Sequence, residues 1–127
     1  MQTGSCECGA VAFETHGPLR AVSACHCTQC RKTSGHYWAA TAVAKDKLVM
    51  TREDGLVWYQ SSDAARRGFC KNCGSSVFYD RAGRDIISIG AGTMDGDAGI
   101  VLERHIFCAD KGSYYEINDD VPQLDAY

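Results

Sequence analysis

Proline is nearly absent. Pro18 and Pro122 are the only two in 127 residues, so no proline-rich linker or polyproline segment divides the chain. Positive charge is also short: thirteen Lys and Arg face sixteen Asp and Glu, for a net charge of -3. No overall field therefore exists to hold a nucleic-acid backbone, and no nucleic-acid partner is expected. No apolar run approaches the roughly 18 residues of a membrane-spanning helix, so no membrane partner is expected either. Met1–Ala10 lacks the basic-then-apolar pattern of a secretory leader, and the chain is expected to be cytoplasmic. No low-complexity tract interrupts it, so residues 1–127 are expected to form a single domain. With 45% apolar and 23% charged residues, the composition is globular rather than disordered or fibrous.

Cysteine is what the chain has in excess. There are eight, and all but Cys108 fall in tight clusters: Cys6-Glu-Cys8, Cys25-His-Cys27-Thr-Gln-Cys30 and Cys70-Lys-Asn-Cys73. In a reducing compartment persistent disulfides are disfavoured, and clustered thiols there point to metal or redox chemistry. A disulfide within Cys-x-Cys would close too small a loop to stabilise much. Metal is the leading reading.

Short segments rich in β-branched and aromatic residues alternate with turn residues. Ala10–Thr15, Tyr37–Ala44, Lys47–Met50, Leu56–Gln60, Ser76–Tyr79, Ile86–Gly90 and Leu102–Phe107 read as strands. Gly17-Pro18, Glu53-Asp54-Gly55 and Ala82-Gly83-Arg84-Asp85 supply turns. Helical signals are few: a polar turn or two over Thr28–Ser34, and a second short helix near Thr93–Asp97. The pattern predicts a mostly β fold with few short helices, with Asp110–Tyr127 wrapping the surface.

Zinc takes four N/S ligands when structural, and three plus an open position when catalytic. Cys70-x-x-Cys73-Gly74 is a strong ligand unit, because two sulfurs converge across a turn for which Gly74 can supply positive φ. Cys6-x-Cys8-Gly9 resembles it, one residue shorter. Together the two pairs make a closed four-sulfur site and leave Cys25, Cys27 and Cys30 as an incomplete shell. Spacing leaves other partitions open. Cys27/Cys30 with Cys70/Cys73 would be a zinc ribbon, although with an insert longer than the usual roughly 15–20 residues. Cys108 or His26 is also a possible fourth ligand to the Cys25 cluster, and Cys108 alternatively reads as a small buried hydrophobe.

Three segments carry a family resemblance: Gly4-Ser-Cys-Glu-Cys-Gly-Ala-Val-Ala-Phe13, Cys25-His-Cys-Thr-Gln-Cys-Arg-Lys-Thr-Ser-Gly35 and Arg67-Gly-Phe-Cys-Lys-Asn-Cys-Gly-Ser75. They are similar to the glutathione-dependent formaldehyde-activating enzyme family, whose domain is shared with centromere protein V. Glu103-Arg-His-Ile-Phe107 and Asp119-Asp-Val-Pro-Gln-Leu124 resemble its C-terminal stretch. The resemblance implies a β-tent of short antiparallel sheets stapled by two zinc ions per chain. It assigns Cys6, Cys8, Cys70 and Cys73 to structural zinc, and Cys25, Cys27 and Cys30 to catalytic zinc. The chain departs from the family at Lys111-Gly-Ser-Tyr-Tyr115, where a Trp after a Lys–small–Pro step is usual, and at Cys108, where a small aliphatic residue is commoner.

A zinc held by three thiolates is a weaker Lewis acid than one held by three imidazoles, and it suits a soft incoming thiol. The resemblance implies a carbon–sulfur lyase that adds the thiol of glutathione, or another small thiol, to formaldehyde or a similar small aldehyde. The alternative is a non-catalytic zinc-stabilised interaction module. A zinc deaminase fails because no Glu follows a His at the required offset. A thioredoxin-like reading lacks a βαβ context. Among other candidates, His105 reads either as a general acid or base or as a hydrogen-bonded structural histidine. Arg31, Lys32, Arg66, Arg67 and Lys71 lie near the clusters in sequence, where they would offset thiolate charge and receive carboxylates, or simply face solvent. Tyr37-Trp38 and Tyr114-Tyr115 read as pocket wall or core.

Overall fold

Alternation along Ile86-Ile-Ser-Ile-Gly90 sends Ile87 and Ile89 to one face and Ser88 to the other, the period-two pattern of a half-buried strand. Ten such strands build the protein in the computed structural model, which describes residues 1–127. They are β1 (Gln2–Ser5), β2 (Ala12–Thr15), β3 (Val22–Cys25), β4 (Trp38–Ala44), β5 (Leu48–Arg52), β6 (Leu56–Gln60), β7 (Ala65–Cys70), β8 (Ser76–Arg81), β9 (Ile86–Gly90) and β10 (Leu102–Ile106). One helix, α1 (Thr28–Ser34), links β3 to β4.

The strands form a three-stranded sheet in the order β1-β2-β5 and a seven-stranded sheet in the order β10-β3-β4-β9-β8-β7-β6. The mostly β expectation holds, with one amendment: β10 runs parallel to β3, so the larger sheet is mixed. The sheets meet through Val11, Phe13, Val43, Val77, Phe78, Ile87 and Ile89. The rings of Phe13 and Phe78 lie 5.3 Å apart at their centroids. A Cβ on Gly4 would fall 2.4 Å from the Phe13 ring, so only glycine lets β1 lie this close to its neighbour. Cys6 and Cys70 belong to this same core cluster, which places one metal-ligand group at the margin of the apolar interior.

Three strands are absent from the sequence expectation, β1, β3 and β7. Their sequences, QTGS, VSAC and ARRGFC, are poor in β-branched residues. The short helix expected near Thr93–Asp97 is instead a single 3₁₀ turn over Ala91–Thr93, as befits a stretch broken by Gly90, Gly92 and Gly96. The C-terminal stretch runs as a strap beside the free edge of β10. The His105 N–H donates to Pro122 O, and the His105 carbonyl accepts from the Leu124 N–H.

Candidate metal centres and the adjoining cavity

Two Cys-Gly turns face each other across the sheets. Gly9 and Gly74 both adopt positive φ, +85° and +80°, and each lets its chain reverse directly after a cysteine. Gly74 N–H bonds back to Cys70 O, and Gly9 N–H to Cys6 O. The turns are joined by the Glu7 N–H, which donates to Ser75 Oγ. The sulfurs of Cys6, Cys8, Cys70 and Cys73 consequently lie within 4.8 Å of one another. Cys8 Sγ is 3.7 Å from both Cys6 Sγ and Cys70 Sγ. A tetrahedron of sulfurs at the zinc–thiolate bond length has an edge of about 3.8 Å, so the four ligand atoms already fit such an ion. Local hydrogen bonds favour thiolate at two of the four: Val11 N–H donates to Cys6 Sγ at 3.2 Å, and Ser75 beside Cys73 brings that thiol down to about 5. Desolvation and the neighbouring thiols instead push Cys8 up to about 11.

The second group is Cys25, at the end of β3, with Cys27 and Cys30 at the start of α1. Cys27 caps the helix, its sulfur accepting the Cys30 N–H at 3.3 Å. The three sulfurs lie within 4.8 Å of one another, and no other sulfur, imidazole nitrogen or carboxylate oxygen joins the group. Hydrogen bonds from the Cys25 and Cys30 thiols, and then from backbone N–H groups of the first helical turn, hold the Cys27 thiol down to about 2. The same thiol contacts push Cys25 strongly up. The cluster thus accepts one negative charge readily and resists a second, a conflict that a divalent cation relieves. Both groups have the donor chemistry to hold metal ions and are consistent with zinc.

The other proposed ligands are engaged elsewhere. His26 points away from the sulfurs and is fully buried. Its Nδ1 lies 2.5 Å from Tyr115 Oη and its Nε2 2.9 Å from His105 Nδ1, while His105 Nε2 reaches Asp119 at 3.0 Å. One tautomer satisfies every group: Tyr115 O–H donates to His26, His26 Nε2–H to His105, and His105 Nε2–H to the carboxylate. Burial, then the neighbouring positive charges, takes His26 down to about 4, so it stays neutral. His105 thus adopts the hydrogen-bonded role, tying β3 and β10 to the strap. Cys108 stands in a 3₁₀ turn, outside both sulfur groups.

Cys25, Cys27 and Cys30 form part of the wall of a cavity of about 530 Å³. Its floor is the face of the large sheet opposite the core, where the small residues Ser23, Ala40 and Ser88 leave room. Arg67 enters from β7. It is 6% exposed, donates to Gln29 Oε1 at 3.0 Å and lies 3.5 Å from Cys30 Sγ. Of the basic residues close to the clusters in sequence, only Arg67 lines this cavity. Arg66 pairs with Asp80 and stacks on Trp58, and Lys32 and Lys71 are exposed. Trp38 lines the cavity, whereas Tyr37 packs against His26. Arg20, Arg81, Arg84 and Arg104 also line it. They come from separate turns and strands, and nothing in their sequence spacing signals that they converge.

The model of the glutathione-dependent formaldehyde-activating enzyme family matches residues 1–110. An uncharacterised lyase of Schizosaccharomyces pombe is 28% identical over 114 residues, spanning 89% of this chain and 82% of that protein. A putative glutathione-dependent formaldehyde-activating enzyme of Halomonas elongata is 30% identical over 124 residues, covering 90% and 79% of the two chains. In fold, the chain resembles the crystal structure of a Rhodobacter sphaeroides protein with a TM-score of 0.62 at 22% identity, over 95% of this chain and 98% of that one. Because that family model matches most of the chain, which carries both cysteine groups, the chain belongs to the glutathione-dependent formaldehyde-activating enzyme family.

Proposed function

We propose that the protein is a zinc-dependent carbon–sulfur lyase that joins a thiol to a small aldehyde, with glutathione and formaldehyde as the pair the family name points to. Cys6, Cys8, Cys70 and Cys73 hold a structural zinc, and Cys25, Cys27 and Cys30 hold a catalytic one, two ions per chain. One observation carries this division. The four-sulfur group is complete and sits at the margin of the core, whereas the three-sulfur group has no fourth protein ligand and opens onto a cavity. A cytoplasmic setting, where thiols stay reduced, suits both groups.

When bound to three thiolates, zinc supplies a site that acidifies an incoming thiol. The chain's own residues do the rest. Arg67, beside Cys30, offsets the charge of the sulfur cluster and is braced by Gln29, Tyr79 and Trp38. The cavity arginines receive the anionic groups of the thiol substrate, fixing its thiol end toward the sulfurs. The reaction forms one S–C bond to the carbonyl carbon, and the thiol proton ends on the carbonyl oxygen. No oxidant or reductant is needed.

The test combines metal analysis with turnover. Two zinc ions per chain, and a Cys27→Ser variant that keeps its fold but loses one zinc and its thiol–aldehyde activity, are the expected results. A protein that takes up two ions yet is inert to every thiol and aldehyde tried is instead a zinc-stabilised interaction module.

A further inference from the structure

The chain carries a net charge of -3, yet the 530 Å³ cavity gathers Arg20, Arg67, Arg81, Arg84 and Arg104 against a single lining carboxylate, Asp110. None of the five forms an ion pair with a carboxylate of the chain. The ion pairs present involve other cations: His16, Lys45, Arg52, Arg66 and His105. Like charges gathered over a half-buried floor repel one another and lower the stability of the fold, so such a group needs a compensating anion.

Several of these side chains are already held in place by neutral partners. Arg20 is half-buried and donates to the carbonyls of Ala21 and Ala40, at 3.2 and 3.0 Å. Arg104 Nε donates to Ser23 Oγ at 3.0 Å, and Arg84 Nη1 to Tyr127 Oη at 3.1 Å. These bonds use only part of each guanidinium's donor set and leave the remaining N–H groups free. Arg20, Arg84 and Arg104 line the cavity together with Tyr127. The Arg84 hydrogen bond, reinforced by the positive charges of Arg84, Arg20 and Arg104, draws the Tyr127 phenol below its ordinary range. One carboxylate is matched by one guanidinium fork. Three guanidiniums lining one cavity match a group with more oxygens and more charge, which is a phosphate.

We infer that the arginine-lined cavity beside the three-sulfur cluster binds the phosphate of a phosphate-bearing thiol, and that such a thiol is preferred to glutathione. This rests on the thiol-lyase reading of the same site. Glutathione brings two separate carboxylates and an ammonium group. Its ammonium is repelled by the arginines and has only Asp110 to meet, and its carboxylates leave part of the guanidinium set unmatched. A phosphate ester carries the denser charge with no ammonium.

The experiment titrates the zinc-loaded protein calorimetrically with inorganic phosphate and with succinate at matched ionic strength, and repeats this with Arg104→Gln, Arg84→Gln and Arg81→Gln. Phosphate is expected to bind at least ten-fold more tightly than succinate, and Arg84→Gln and Arg104→Gln each to weaken phosphate at least ten-fold. Should either variant not fold, Arg81→Gln, at an exposed position, must still weaken phosphate several-fold. Mercaptoethyl phosphate, supplied with formaldehyde, is expected to show a KM at least ten-fold below that of glutathione. Equal binding of succinate and phosphate, or phosphate affinity indifferent to the arginines, overturns the inference. So does a lower KM for glutathione. The two readings fail separately. Arginine-dependent phosphate binding without any thiol turnover sinks the lyase and leaves the anion site, while glutathione turnover with no phosphate binding does the reverse.

Discussion

Arg67 Nη2 lies 3.5 Å from Cys30 Sγ, linking strand β7 to helix α1 across the rim of the cavity. The guanidinium is buried, shares Gln29 Oε1 through two nitrogens, and rests against the face of Tyr79 at 4.9 Å from the ring centroid. It is the only lining arginine that touches a sulfur, and its charge favours thiolate there.

Replacing Arg67 therefore acts on the metal before it acts on the fold. Arg67→Gln is expected to lower zinc affinity at the three-sulfur site by roughly 10–100-fold, the range for partners of metal ligands. Chelator competition measures this directly. Arg67→Lys is expected to recover only part of the loss, because an ammonium cannot reproduce the planar two-nitrogen contact with Gln29.

The two sulfur groups should separate by their effect on stability. Cys73→Ser opens the four-sulfur group at the core margin and is expected to lower the melting temperature sharply and release one zinc. Cys27→Ser is expected to release one zinc with far less change in melting temperature. Metal analysis beside thermal melts of both variants makes the comparison, and equal melting temperatures would remove the distinction between a structural and a catalytic site.

A glycine outside any cysteine motif guards the four-sulfur group. A Cβ at Gly55 would stand 2.7 Å from Cys70 Sγ and 2.9 Å from the Ala10 Cβ. Gly55→Ala must push Cys70 out of place or shift the turn, at a cost of about 1–3 kcal/mol. Zinc extraction from this group should be faster than in the wild type, with the three-sulfur group unaffected. Metal-release kinetics in the presence of a chromophoric chelator follow it.

Tyr115 closes the buried chain through His26 and His105 to Asp119. Removing its hydroxyl leaves His26 Nδ1 without its partner at a fully buried position. Tyr115→Phe is expected to destabilise the protein by about 1–3 kcal/mol in denaturant titrations. Faster hydrogen exchange in the strap beside β10 should accompany it.

Asp80 sets a pH dependence. Burial works to raise its pKa, but Lys45 at 2.7 Å and Arg66 at 3.0 Å prevail and hold it below the ordinary carboxylate value. A carboxyl depressed in the fold contributes stability above its unfolded pKa of about 3.9. That contribution is lost as pH falls through the lower folded value. Both cations are partly exposed, so it amounts to about 1 kcal/mol. Asp80→Asn should remove it at neutral pH and flatten the acid limb of the stability curve.

Much of this protein follows from local sequence. The cysteine spacing and the glycine after each pair dictate the metal-ligand turns, because a Cys-Gly reversal at φ near +80° is a local property of three or four residues. Strands such as Ile86–Gly90 follow from their own alternation, and α1 falls where the polar stretch after Cys27 meets Gly35. Only the tertiary structure decided which cysteines meet, that β10 runs parallel to β3, and that VSAC and ARRGFC are strands at all. Those two segments lack strand-forming side chains because one provides the small-residue floor of the cavity and the other carries Arg67 into it. Their conformation comes from neighbouring strands rather than from their own propensity. The gathering of five arginines belongs to the same class. Charge sums along a chain average out at -3, and only the folding of distant turns onto one sheet face makes a strongly basic cavity within an acidic protein.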